Sequence, residues 1–168
     1  MPATAATVVR ELVRQHFAIV STTSPAGAPD SAGISFAATR EAGELVLYFM
    51  TRRHLRKARN IDLCGRVSLV VPLPRRVLWF VPPATLQLHG TATLLHWTDP
   101  RGTEVFQRFW LGRRILSGYR AAFAGGERRI CFVRVVVDRD VRGYMVGSSL
   151  WTVSRDMKHG AVRVRLGA

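Results

Sequence analysis

The chain reads as an α+β protein, mainly β: a small antiparallel barrel with short helices on its flanks. Three observations predict it. Apolar runs are short and frequent, and most are bounded by Gly, Pro, Asp or Asn. Several alternate apolar and polar residues with a period of two. Only two or three stretches carry a helical apolar stripe, and they do not alternate regularly with the strands as a βαβ sheet would need. At 168 residues and 48% hydrophobic content the chain can bury one full core and leaves little for a second, so 1–168 is expected to be a single domain.

The elements follow in order. Thr7 to His16 carries Val8, Val9, Leu12 and Val13 on one side and Arg10, Glu11, Arg14 and Gln15 on the other, which predicts a short helix. Phe17–Thr22 is a strand, Ser24–Pro29 a Pro/Gly turn, and Ser31–Ala38 the returning strand. Glu41-Ala42-Gly43 makes a tight turn into the strand Glu44–Met50, completing an antiparallel meander. A helix after Thr51 places Leu55, Ala58 and Ile61 on a core-facing stripe, and Gly65 can end it. Arg66–Val71 is the next strand, stopped by Pro72 and Pro74, and Val77–Val81 reads equally as strand or apolar loop.

Thr85–Trp97 is a long strand with Leu86 and Leu88 alternating against Gln87 and His89; Gly90 within it marks a bulge or a close approach by another backbone. Thr98-Asp99-Pro100 starts a helix containing Val105, Phe106, Phe109 and Trp110, which Gly125-Gly126 breaks. Ile130–Val137, Val141–Val146 and Ala161–Leu166 are the closing strands.

Composition bounds the function. No apolar run reaches membrane-spanning length, and the polar, small opening residues lack the pattern of a secretion signal, so a soluble, cytoplasmic protein is expected. Cys64 and Cys131 are expected to be free buried thiols, and His16, His54, His89, His96 and His159 are too scattered for a zinc site, so no metal is expected. The net charge of +14 comes almost entirely from arginine, since Lys57 and Lys158 are the only lysines. A GC-rich coding sequence produces the same bias, and the cations run from Arg10 to Arg165 without forming a tail. Charge alone therefore leaves nucleic-acid binding as a lesser alternative.

Thr51 to Asn60 points most directly at a ligand. It packs five cations into ten residues behind an apolar strand, where a helix start offers unpaired N–H groups to an anion. A solvated basic face is the plain alternative for such a segment.

The order and spacing of several segments resemble the pyridoxamine 5'-phosphate oxidase-like family, the FMN-binding split β-barrels. They are Phe17–Thr22, the turn through Gly27 and Pro29, Ile34-Ser35-Phe36, Leu47-Tyr48-Phe49, Thr51, Arg53, Arg56–Asn60, Arg66–Val70, Gly90-Thr91-Ala92 and Thr98-Asp99-Pro100. The resemblance spans roughly residues 10–110. It implies a homodimer of six-stranded antiparallel split barrels with FMN at the subunit interface. By the same resemblance Arg56 and Lys57 contact the flavin phosphate, with Thr51 at the helix start and Arg53 beside them, and the backbone of Ile34, Ser35 and Phe36 faces the ring.

Departures limit what carries over. Ala32 and Ala37 stand where the oxidase has an arginine and a lysine, and Leu55 replaces a phosphate-contacting serine. Thr85 stands where a glutamine is expected, with Gln87 two residues off, and the C-terminal substrate-binding arginine motif is not recognisable in Ala161–Ala168. These departures argue against vitamin B6 oxidation and leave the cofactor site as what the resemblance carries.

The expected function is an FMN-dependent oxidoreductase acting on a small-molecule substrate or electron donor. Its alternatives are use of the deazaflavin coenzyme and a non-catalytic flavin or haem module. Ser35 has no His or acid partner that would make it a nucleophile, and no catalytic residue is named. Trp79, Trp97, Trp110 and Trp151 are expected in the core or at a dimer interface, with Trp151 an alternative flavin cover.

Overall fold

The computed structural model describes residues 4–74, 83–146 and 161–167. Val77–Val81, Trp79 and Trp151 lie outside them.

Helix α1 (Ala5–Arg14) starts earlier than the apolar stripe suggests because the Thr4 hydroxyl accepts from the Thr7 N–H and caps it. It ends before His16, whose carbonyl accepts from the Phe36 N–H and already belongs to the sheet. Strands β1 (Phe17–Thr23), β2 (Pro29–Glu41) and β3 (Glu44–Arg52) form the expected meander. The β2–β3 hairpin closes over two residues, with Glu41 opposite Glu44, Ala42 at φ 48° and Gly43 at φ 85°. Both central residues are left-handed, as the right-handed twist of a two-residue hairpin demands.

Helix α2 runs from Arg56 to Leu63, so its start is Leu55–Arg56 and not Thr51, which stays in β3. Leu55 is the helix cap and is exposed, whereas Ala58 and Ile61 are buried as the stripe requires. Cys64 is exposed, against expectation, and Cys131 is buried; both are free.

Strands β4 (Arg66–Leu73) and β5 (Ala84–His96) follow, then helices α3 (Pro100–Gln107) and α4 (Trp110–Ala124). The apolar residues from Val105 to Trp110 predict one continuous helix; the chain instead breaks at Arg108–Phe109. Strands β6 (Ile130–Val137), β7 (Asp140–Tyr144) and β8 (Ala161–Arg165) complete the order.

Every strand pairing among the described residues is antiparallel. Six strands close a ring in the order β1-β2-β3-β6-β5-β4, with β4 pairing back to β1, while β7 and β8 extend from β5. This is the split-barrel arrangement. At Gly90 a Cβ would meet the Val136 carbonyl oxygen at 2.4 Å, so the glycine marks a close backbone approach from β6.

Two apolar layers result. Leu45, Leu47 and Phe49 of β3 fill the ring with Ile34 and Phe36 of β2, while Val46, Tyr48 and Met50 face outward under α3 and α4. That double coverage explains why β3 runs apolar from Leu45 to Met50 and does not alternate. Among the described residues no helix is long and apolar enough to cross a membrane.

Candidate functional site

The long strand β2 creates the site. From Pro29 to Ser35 it pairs with β1, and only from Phe36 to Glu41 does it pair with β3. The edge of residues 29–35 that faces away from β1 therefore has no partner strand among the described residues. The start of α2 lies beside it. Asp30, Ser31 and Ala32 from this edge and Leu55, Arg56 and Lys57 from the helix line an open cleft of about 310 Å³. A second hollow of about 410 Å³ adjoins it across Asp30 and Arg56.

The two cations of the cleft differ. Arg56 donates from Nη1 to Asp30 Oδ1 at 3.0 Å. The other oxygen of Asp30 accepts from Asn60 Nδ2 at 2.9 Å, and the same amide donates to Thr22 Oγ1 at 3.0 Å. Asn60 is buried, and its amide ties the β1–β2 hairpin to α2. Hydrogen bonds from Asn60, then from Arg56, hold the Asp30 carboxyl below its ordinary value of 3.8.

Lys57, by contrast, has neither an ion pair nor a hydrogen bond among the described residues. It is half-buried, and burial pulls its ammonium below the ordinary lysine value. No side chain caps α2, and no acidic residue lies in its first turn.

Of the expected site residues, the structure brings Arg56 and Lys57 into the cleft. Ile34 and Ser35 lie further along the same open edge; the Ile34 side chain points into the ring and Ser35 is exposed. Phe36 is the first residue paired to β3, and its ring is fully buried. Thr51 and Arg53 do not line the cleft. Thr51 is buried in β3, and its hydroxyl, like the nearby His54 Nδ1, has no hydrogen-bond partner among the described residues. The exposed Arg53 donates its backbone N–H to the Arg129 carbonyl at 2.7 Å.

Sequence reasoning missed Asp30 and Thr22, which sit 26 and 38 residues from Arg56 and Asn60 respectively. The signal that could have found Asp30 is a lone acid after Pro29, in a hairpin otherwise built of small and hydroxylic residues.

The tryptophans divide as well. Trp97 stacks on Phe123 with centroids 4.4 Å apart, whereas Trp110 is 67% exposed on α4 with Arg114 over its ring.

The family profile described as pyridoxamine 5'-phosphate oxidase matches residues 5–126. No match was found among curated proteins. Several solved structures share the fold. The haem storage protein HutZ of Vibrio cholerae is 13% identical, with 83% of this chain and 94% of that one covered at a TM-score of 0.60. A pyridoxamine 5'-phosphate oxidase-related, FMN-binding protein of Nostoc punctiforme is 17% identical, with 95% and 84% covered at 0.59. An F420 reductase is 19% identical, with 76% and 91% covered at 0.51.

Proposed function

The chain belongs to the pyridoxamine 5'-phosphate oxidase-like family, and from that premise we propose that it binds FMN at the β2–α2 cleft and serves as an FMN-dependent oxidoreductase. The observation that carries this reading is Lys57: a half-buried ammonium with no ion pair or hydrogen bond among the described residues, lining a cleft at an uncapped helix start. A cation stripped of water and left unpaired gains by meeting an anion. A phosphate monoester brings about −1.5 to −2 charges and three acceptor oxygens, which suits an ammonium beside free helix N–H groups.

The residues would divide the work. Lys57 and Arg56, with the first N–H groups of α2, hold the phosphate; Thr51, near the end of β3, and Arg53, in the turn that follows it, lead the chain into that helix. The open backbone edge through Ile34 and Ser35, up to Phe36, offers hydrogen bonds to the polar edge of the ring, while the side chains of Ile34 and Phe36 brace that edge from inside. Bound FMN would supply the hydride or electron transfer, and the protein's part is to orient it and exclude water.

The apolar stripe of Phe17 (51% exposed) and Ile19 (41% exposed) on the outer face of β1 supports a homodimer. A deazaflavin coenzyme is the nearest alternative, supported by the fold shared with an F420 reductase.

The test is an absorption spectrum of the purified protein followed by flavin titration. Flavin bands, or quenching of added FMN fluorescence that saturates, are expected. A haem spectrum instead, or no binding of FMN at micromolar protein, overturns the reading.

A further inference from the structure

Asp30 is the one carboxylate among the residues lining the cleft, and it lies where a phosphate would be least welcome. Its contacts show which partner of the Asp30–Arg56 pair is anchored. Asp30 Oδ2 is held at 2.9 Å by Asn60, which is 2% exposed and also bonded to Thr22. The Arg56 side chain is 78% exposed and has no other hydrogen-bond partner among the described residues. An exposed arginine on a single ion pair is cheap to turn, because such pairs contribute little in water. A buried amide with both N–H groups engaged is not.

We infer that Asp30 is a built-in counter-ion, occupying Arg56 until a phosphomonoester displaces it, and so sets the affinity and selectivity of the cleft for phosphate. The inference rests on the reading of this cleft as the cofactor-phosphate site. In the resting state the anchored carboxylate neutralises Arg56 and leaves Lys57 as the unpaired cation. A monoanion offers Arg56 no more than Asp30 already does. A phosphate dianion offers more charge and a bidentate fork, enough to draw the guanidinium away. Asp30 stays behind on Asn60, a fixed negative charge that the ligand must outweigh.

The experiment is titration of wild type, Asp30→Asn, Arg56→Gln and the double variant with FMN and with riboflavin, at one salt concentration, alongside thermal unfolding. Asn retains an oxygen to accept from Asn60 and removes only the charge. Asp30→Asn should tighten FMN on the order of tenfold, the low end for a charge-assisted hydrogen bond at a solvent-open site. Riboflavin affinity should stay unchanged, and the FMN gain should shrink in the Arg56→Gln background because the freed guanidinium is its main source.

Unchanged or weaker FMN binding by an Asp30→Asn protein of normal thermal stability overturns the inference and leaves the cofactor reading standing. Equal tightening of FMN and riboflavin overturns it too. Failure of FMN to bind wild type and Asp30→Asn alike overturns the cofactor reading and the inference together.

Discussion

Two charged clusters sit at different places on the same strand, β2, and they are built on opposite plans. At its C-terminal end Glu41 is saturated. One carboxylate oxygen accepts from Tyr48 Oη at 2.7 Å and Arg101 Nε at 3.1 Å, the other from Arg134 Nε at 3.1 Å and Nη2 at 2.9 Å. Glu104 then takes Arg101 at 2.6 Å and Arg108 at 2.7 Å. At its N-terminal end, Asp30 holds Arg56, and Lys57 has no partner among the described residues. The first cluster ties α3 to β2, β3 and β6, and its charges are spent inside the fold. The second keeps a cation in reserve beside an open backbone edge. Charge that closes on itself builds structure, and charge left over beside a cleft is available to a ligand.

The largest effect expected from breaking this contrast is on the closed side. Glu41→Ala strands Arg134 and the Tyr48 hydroxyl. It should lower stability by about 2–3 kcal/mol, less than for a fully buried pair because Arg101 and Arg134 still touch water. Denaturant unfolding measures it, with flavin affinity unchanged.

The same cluster shapes the pH dependence. Burial raises Glu41, but the hydrogen bonds from Tyr48, Arg134 and Arg101 outweigh it and hold the group below its ordinary 4.5. Its contribution is therefore present above pH 4.5 and lost as pH falls through the folded-state value. Burial first, and then the bond to Glu41, push Tyr48 from 10.0 up to about 12. That contribution is full below pH 10 and disappears as pH rises through about 12. Glu41→Ala should remove this group's share of the acid limb and make the alkaline limb shallower, since the burial of Tyr48 remains.

On the open side, Lys57→Ala should weaken FMN binding by about 1.5–3 kcal/mol, the worth of a charged hydrogen bond. The melting temperature should hold steady, since the lysine has no ion pair or hydrogen bond to lose among the described residues. A large stability loss with unchanged flavin affinity would reverse the assignment of roles. The smallest effect belongs to an ordinary local contact. Asp99 Oδ2 caps α3 through the Gly102 N–H at 2.8 Å, so Asp99→Ala should cost about 1 kcal/mol in unfolding and nothing in binding.

Much of this fold was legible in the chain. β6 was read with its bounds, β1 to within one residue and β5 as a shift of one, because strand alternation and turn residues are local signals. The start of α3 was legible in Asp99-Pro100 for the same reason. The break at Arg108–Phe109 was not, since the apolar residues on both sides suit a helix. Gly112 packs so closely under Phe106 that a Cβ there would meet its carbonyl oxygen at 2.1 Å, a contact between turns of two different helices. In the site, the basic run after a strand marked the segment, the family resemblance singled out Arg56 and Lys57 within it, and the structure places both on the cleft. Thr51 was misplaced by five residues as a helix start, because nothing local marks where a cationic turn becomes a helix when Leu55 supplies no side-chain cap.

The sequence by itself determined the antiparallel, mainly β class, most element positions and the cationic segment, all properties of neighbouring residues. Only the tertiary structure decided which cation is paired. Arg56 and Lys57 are adjacent and nearly equivalent in sequence, yet one meets a carboxylate 26 residues away and the other meets none among the described residues. That difference arises from the register of β2 against β1, which places Asp30 opposite Thr22 and beneath Asn60. The same register ends the β2–β3 ladder at Phe36 and leaves the edge beside α2 open. Registry is a property of paired strands, so it is absent from either strand alone.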